Sequence, residues 1–145
     1  MRKIDRIVIH CSATEENDIY TVEDITEWHL KRGFKTIGYH YVVYLDGTVH
    51  AGRPIGQVGA HARGFNKSSV GICYIGGLRK GKPFDTRNIG QLYALRNLVA
   101  VLKSIYPIKD VCGHRDLSVD LNGDGVIEPS EWLKACPCFD VKTEL

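Results

Sequence analysis

The residues of this chain that are best suited to chemistry lie near its two ends. His114 follows a glycine, and Cys136 and Cys138 bracket a proline in the segment KACPCFD. Imidazole nitrogen and thiolate sulfur both bind zinc well, and a catalytic zinc takes three protein ligands and keeps one position for water. The best third candidate is His10, which ends the apolar run RIVIH. We therefore hypothesise a zinc site made by His10, His114 and Cys136.

A zinc ion held in this way favours hydrolysis of an amide or an ester. Zinc lowers the pKa of a bound water to about 7 and polarises a carbonyl group. Such a hydrolase also needs a group that stabilises the oxyanion or moves protons, and Lys134 and the phenol of Tyr39 are the candidates. The spacing alone is a weak signal, because the chain has neither HExxH nor a paired CxxC. The alternative is a buried strand histidine at His10 and an inert thiol at Cys136.

A second metal signal lies between His114 and Lys134. Residues 120–131 match the EF-hand pattern D-x-[DN]-x-[DN]-G-x5-E, with glycine at position six and glutamate at position twelve. No helix is predicted directly before this loop, and the alternative is an acidic surface turn. The calcium ligands expected from the pattern are Asp120, Asn122, Asp124, Val126, Glu128 and Glu131.

The composition indicates one globular domain over residues 1–145. The apolar share is 43%, the charged share is 25%, and a net charge of +2 is too small to argue for nucleic acid. The first residues contain no apolar run long enough for a signal peptide or a membrane span. The five cysteines do not suggest a disulfide framework. We expect a monomer without nucleic-acid partner or membrane insertion, made in the cytoplasm without an export signal.

The order of the predicted elements gives an α/β (α+β) class, with a central mixed β-sheet flanked by helices. A capping box of Thr21 and Asp24 begins the first helix, in which His29 is expected to be packed and not a ligand. The second helix carries a broad apolar stripe that is expected to be core. A tight turn at 46–47 predicts a hairpin. Strands are predicted at 6–10, 41–45, 48–51, 69–76 and 109–112, the second helix at 87–105, and a surface loop from Gly76 to Asp85.

The glycine-rich segment 53–68 is long for a loop inside a compact domain, and such loops are often functional. It carries His61, Arg63 and Asn66.

Several sequence blocks occur in an order that matches a known family. They are VIHCSAT at 8–14, WH at 28–29, GYHYVVYLDGTVHAGR at 38–53, GAHARGFNKSSVGICYIGG at 59–77, GH at 113–114 and KACPCFD at 134–140. On these blocks the chain resembles the zinc-dependent N-acetylmuramoyl-L-alanine amidases of the bacteriophage T7 lysozyme type, a family that also includes the peptidoglycan recognition proteins. The resemblance runs over almost the whole length.

The resemblance implies a zinc at the floor of a surface groove and a peptidoglycan (muropeptide) substrate. Carried over by position, the zinc ligands are His10, His114 and Cys136. The implied reaction cuts the amide between N-acetylmuramic acid and the L-alanine of the stem peptide. Lys134 would stabilise the oxyanion, and Tyr39 would orient or deprotonate the water. His61 and Asn66 match the loop at the groove edge and are expected to contact substrate.

Two features depart from the phage pattern. That pattern runs directly from its second zinc histidine to Lys and Cys, whereas here the EF-hand-like loop at 120–131 is inserted between them. If calcium orders this loop, it would hold Lys134 and Cys136 in place; if not, the loop is a tolerated surface insertion. Cys138 also stands near Cys136, which we favour as the ligand because it follows Lys-Ala and precedes Pro as in the family.

Alternatives from other functional classes stay open at this point. The main one is a non-catalytic peptidoglycan-binding module on the same fold, although some such proteins have lost the zinc cysteine that this chain keeps. A regulatory protein that binds a polymerase or another protein is a second, and a calcium-binding structural protein is a third. As an amidase, the chain would be a phage or prophage lysin that reaches the periplasm after release, or a recycling enzyme that acts on wall fragments.

Overall fold

The structure, a computed structural model, describes residues 1–145 and contains eight strands and three α-helices. In chain order the elements are β1 Arg6–Cys11, β2 Thr14–Glu15, α1 Val22–Lys31, β3 Tyr41–Val43, β4 Val49–Ala51, β5 Ser69–Tyr74, β6 Gly77–Arg79, β7 Lys82–Pro83, α2 Ile89–Ile105, β8 Asp110–Gly113 and α3 Val141–Glu144. Single 3-10 turns occupy Asn66–Ser68, His114–Leu117 and Pro129–Glu131.

The central sheet has five strands in the order β4-β3-β5-β1-β8 and is mixed, as predicted. β1 is parallel to both of its neighbours, and Ile9 pairs with Ile72 of β5 and Gly113 of β8. Only β4 runs antiparallel, through the hairpin predicted at 46–47. Residues 7–11 of β1 are all buried because parallel strands need cover on both faces. His10 is therefore the buried penultimate residue of an enclosed central strand.

The two longer helices cover opposite faces of this sheet. Ile25 of α1 packs with Val42, whereas Leu95 of α2 belongs to the cluster that contains Val43. Adjacent strand residues face opposite sides, so these contacts place α1 and α2 on different faces. None of the helices is long and apolar enough to cross a membrane.

The beginning of α1 confirms the predicted capping box. Thr21 Oγ1 accepts a hydrogen bond from the Asp24 N–H, and Asp24 Oδ2 accepts one from the Thr21 N–H at 2.8 Å. Gly33, at φ 90°, follows the helix end, where a glycine readily adopts this conformation. His29 is 6% exposed and its Nδ1 accepts the Gly38 N–H at 2.8 Å, which makes it a packed histidine.

Two expectations about the fold were wrong. The apolar stripe of α2 is only partly core, because Leu95, Val99 and Leu102 are buried whereas Ile89, Tyr93 and Ile105 are 65%, 56% and 63% exposed. The stripe is wider than the face that the sheet covers. The segment from Gly76 to Asp85 is also more than a loop, because β6 and β7 pair within it and β2 joins them in a second, three-stranded sheet.

Candidate active site

Two histidines meet because the ends of two parallel strands lie side by side. Ile9 of β1 pairs with Gly113 of β8, so His10 and His114 are the next residues in register, and their ring centroids are 4.7 Å apart. A methyl group on Gly113 would lie 2.6 Å from Cδ of Pro137. The glycine therefore allows the segment that carries Cys136 to approach the strand end.

Cys136 reaches this point from the other end of the chain. Its Sγ lies 3.9 Å from Nδ1 of His10 and accepts the Cys11 N–H at 3.2 Å. Its carbonyl oxygen accepts the Arg115 N–H at 2.8 Å, one residue beyond His114. These two hydrogen bonds hold Cys136 beside both imidazoles.

His10, His114 and Cys136 form a donor set that a zinc ion would fit. Their candidate ligand atoms all lie within 4.8 Å of one another. Burial, followed by the charges of His61, His114 and Lys134, holds the pKa of His10 well below its usual range. Burial and Lys134 also lower the pKa of His114. Both imidazoles are therefore neutral near pH 7, which is the state that binds a metal.

These three residues lie in a surface groove of about 700 Å³. Small-molecule sites commonly fall in this size range and combine apolar walls with a few polar groups. Trp28 and Phe34 provide aromatic walls here, and Arg32, Arg63 and Lys134 provide cations. The groove can accept an extended polar ligand that carries negative charge.

Tyr39 and Lys134 both line the groove, as their predicted roles require. The Tyr39 ring lies 5.0 Å from that of His10, whereas the neighbouring His40 faces elsewhere and accepts the Gly71 N–H at 3.0 Å. Burial, followed by the nearby thiols of Cys73, Cys136 and Cys11, raises the pKa of Tyr39 well above its usual value. The phenol of the metal-free chain therefore keeps its proton at neutral pH.

His61 and Asn66 are also in the groove wall, but their polar atoms are engaged within the protein. Nδ1 of His61 lies 2.9 Å from Nε2 of His10, and its Nε2 lies 3.2 Å from Oγ of Ser69. Oδ1 of Asn66 accepts the N–H groups of His61 and Ala62, each at 2.9 Å. No ring nitrogen of His61 is left for a substrate. The contact between His61 and His10 was not predictable from the sequence, because residue spacing in a loop carries no signal for it.

Cys138 lies outside the cluster of His10, His114 and Cys136. Its thiol donates to the carbonyl oxygen of Gly77 at 3.5 Å.

The EF-hand-like loop brings three of its acidic residues together. Ligand oxygens of Asp120, Asp124 and Glu131 lie within 4.8 Å of one another. Asp120 accepts the N–H groups of Gly123 and Gly125 at 2.9 and 2.7 Å. A single 3-10 turn, His114–Leu117, precedes the loop and another, Pro129–Glu131, forms its last residues, so the helix pair of an EF-hand is absent.

Comparisons with known proteins agree with this geometry. The family model for N-acetylmuramoyl-L-alanine amidase matches residues 1–137. The endolysin of Klebsiella phage KP32 is 37% identical over 142 residues, which cover 97% of this chain and 85% of that protein. Among solved structures, the amidase LysC from Clostridium intestinale URNW matches with a TM-score of 0.75 at 28% identity, over 99% of this chain and 82% of that one.

A complex of the peptidoglycan recognition proteins LCa and LCx with tracheal cytotoxin matches with a TM-score of 0.69 at 28% identity, over 94% of this chain and 77% of that one. The fold is therefore shared with solved structures of an amidase and of peptidoglycan recognition proteins. The family match spans the two strand ends and the cysteine that form the metal cluster. This chain belongs to the N-acetylmuramoyl-L-alanine amidase family.

Proposed function

We propose that this chain is a zinc-dependent peptidoglycan amidase that hydrolyses the amide between N-acetylmuramic acid and the L-alanine of the stem peptide. The observation that carries the proposal is the convergence of His10, His114 and Cys136 in the groove. The family match and the names of the phage and clostridial relatives support the bond and the substrate class.

His10, His114 and Cys136 would hold the zinc through two neutral imidazoles and one thiolate. When bound, zinc supplies an activated water and a Lewis acid for the scissile carbonyl. Lys134 lines the same groove, where its ammonium group would stabilise the negative charge that develops on the carbonyl oxygen. Tyr39 would orient the attacking water through its phenol, which is protonated at neutral pH in the metal-free chain.

The groove suits a muropeptide in its charge and its walls. Arg32, Arg63 and Lys134 would face the carboxylates of the stem peptide, while Trp28 and Phe34 would pack against its apolar parts. Tracheal cytotoxin, bound by the recognition-protein neighbours, supports a muropeptide as the ligand. We propose a single-domain monomer that acts on wall peptidoglycan, and its sedimentation coefficient would test the monomer.

The alternative, a non-catalytic peptidoglycan-binding module, fits the site less well. Binding needs only the groove, whereas this chain also places a thiol and two neutral imidazoles at one point. Hydrolysis is therefore the function to test first.

Incubation of the protein with purified muropeptides is expected to release stem peptides that begin at L-alanine. A zinc chelator should stop the release, and added zinc should restore it, with mass spectrometry identifying the products. In the same assay, Lys134→Ala should lower kcat by about 10²–10³-fold, as expected for loss of an oxyanion donor, and Tyr39→Phe should lower it as well. Intact fragments that still bind the protein would establish the binding module and refute the enzyme.

We also propose that the loop at 120–131 binds calcium and thereby braces the segment that carries Lys134 and Cys136. The EF-hand pattern and the convergence of Asp120, Asp124 and Glu131 support this. The base of the loop is closed by the Leu133 N–H, which donates to Ser118 Oγ at 3.2 Å. Calcium would thus order a loop whose end lies beside Lys134.

Calcium is expected to raise the melting temperature of the protein, because a ligand that binds only the folded state stabilises it by mass action. Differential scanning calorimetry with calcium, magnesium or chelator measures the shift. Asp120→Ala should remove it, and Asp18→Ala, which changes an acidic residue outside the loop, should keep it. An unchanged melting temperature in calcium would show that the loop is a surface insertion without a metal.

A further inference from the structure

A chain of hydrogen bonds runs from the candidate zinc ligand His10 into the protein. Its first link joins His10 Nε2 to His61 Nδ1 at 2.9 Å, and its second joins His61 Nε2 to Ser69 Oγ at 3.2 Å. The Ser69 hydroxyl donates to the Phe65 carbonyl at 2.7 Å. The chain therefore ends on an oxygen that can only accept.

This end point fixes the direction of every link. Because Ser69 gives its proton to Phe65, its oxygen accepts the Nε2–H of His61. The proton of neutral His61 is then on Nε2, which leaves Nδ1 as an acceptor. Nδ1 in turn accepts the Nε2–H of His10. The bare Nδ1 of His10 faces Sγ of Cys136 at 3.9 Å, where a metal would sit.

The protein is shaped around the His61 ring. A methyl group on Gly71 would lie 2.5 Å from Cγ of His61, and one on Gly59 would lie 2.7 Å from its Cδ2. Asn66 Oδ1 accepts the backbone N–H of His61 at 2.9 Å. Both glycines therefore lie close against the ring, and the backbone of His61 is also held, which leaves the ring little freedom to turn away from His10.

We propose that His61 is the positioning residue for His10, selecting the Nε2–H tautomer that presents Nδ1 to zinc. Outer partners of metal-bound histidines fix ring orientation and raise ligand basicity. The inference rests on the proposed function for the identity of the metal, but it concerns only the chain's own hydrogen bonds. It gives His61 a task behind the metal ligand in place of the substrate contact expected from the sequence.

The first test measures zinc affinity by competition with a chromophoric chelator. His61→Ala should raise the zinc Kd by about 10–100-fold, the usual effect of losing an outer partner. His61→Asn should recover most of the affinity, because its Oδ1 can accept from His10 near the place of Nδ1. The matched control is His29→Ala, which removes a buried histidine whose ring accepts a backbone N–H. It should leave the zinc Kd unchanged while lowering the melting temperature.

A zinc Kd that is unchanged in folded His61→Ala, or equally weak in His61→Asn and His61→Ala, would overturn the proposal. The cobalt-substituted variants give a second readout, because a tilted His10 shifts the ligand-field bands. The tautomers of wild-type His10 and His61 can also be read directly from long-range ¹H–¹⁵N spectra, so the test does not depend on variants that fold. Protons on both Nε2 atoms are expected, and a proton on His61 Nδ1 would refute the chain.

The outcomes also separate this inference from the proposed function. Wild-type protein that binds zinc but leaves muropeptides intact would refute the amidase and leave the His61 result standing. If the wild-type protein hydrolyses muropeptides but His61→Ala leaves the zinc Kd unchanged, the amidase function stands and the role of His61 is refuted.

Discussion

Replacement of Cys136 by serine is expected to abolish amide hydrolysis while leaving the chain folded. A thiolate binds zinc strongly, whereas a serine hydroxyl does not lose its proton near pH 7 and is a poor substitute. The fold should survive because Cys136 is only half-buried, and a serine oxygen can accept the Cys11 N–H as Sγ does at 3.2 Å. Mass spectrometry of muropeptide products, zinc content and circular dichroism measure the three properties.

Cys138→Ser is the matched control for this experiment. It makes the same chemical change two residues away, at a thiol that donates to Gly77 O and lies outside the metal cluster. A serine hydroxyl can make that same bond, so activity and zinc content should stay at the wild-type level. Hydrolysis by Cys136→Ser would remove Cys136 from the site, and loss of activity only in Cys138→Ser would assign the ligand to the other cysteine.

The free energy of unfolding of the zinc-free protein is expected to fall as the pH is lowered from about 6.5 to about 4. Burial is the main cause that lowers the pKa of His29 and His40 to about 4 and of His61 to about 3. Over this range the unfolded chain binds protons that the folded chain does not, so acid favours unfolding. The contribution of these histidines to the free energy of unfolding is fully present above pH 6.5. His40 alone would account for a loss on the order of 3 kcal/mol.

Urea unfolding at a series of pH values, with chelator present, measures this dependence without competition between protons and zinc. The variant His40→Gln should have a shallower slope between pH 6.5 and 4, because it removes one titrating group. His50→Gln, at a partly exposed position in β4, is the matched control for the loss of a histidine side chain as such. A free energy of unfolding that stays constant between pH 7 and 5 would contradict the prediction.

The parts of the fold that local pattern controls were predictable. The apolar run of β1, the capping box at Thr21 and the turn at 46–47 each depend on residues close together in sequence, and each is present. The second sheet was not predictable, because β2 and β6 are short strands whose pairing depends on the long-range pairing of β1 with β5. Which apolar residues of α2 are exposed was not predictable either, because it depends on how much of the helix the sheet covers.

The residues of the candidate site likewise include some that were predictable from the sequence and one that was not. Residue type indicated His10, His114 and Cys136, and the order of the sequence blocks gave their association. The role of His61 was not predictable, because its contact with His10 depends on how the loop 53–68 folds and on space left by Gly59 and Gly71. Sequence spacing in a loop has no period from which such a contact could be inferred.

The wide separation of the metal donors has a consequence for biosynthesis. His10 and Cys136 stand 126 positions apart, on opposite sides of nearly every strand and helix. A nascent chain that has not yet reached Cys136 has at most two of the three donors, and metal closure in such sites coincides with folding. Wall-cutting activity would therefore arise only once the ribosome has made almost the whole domain, so abandoned translation products would leave a producing cell's own wall intact.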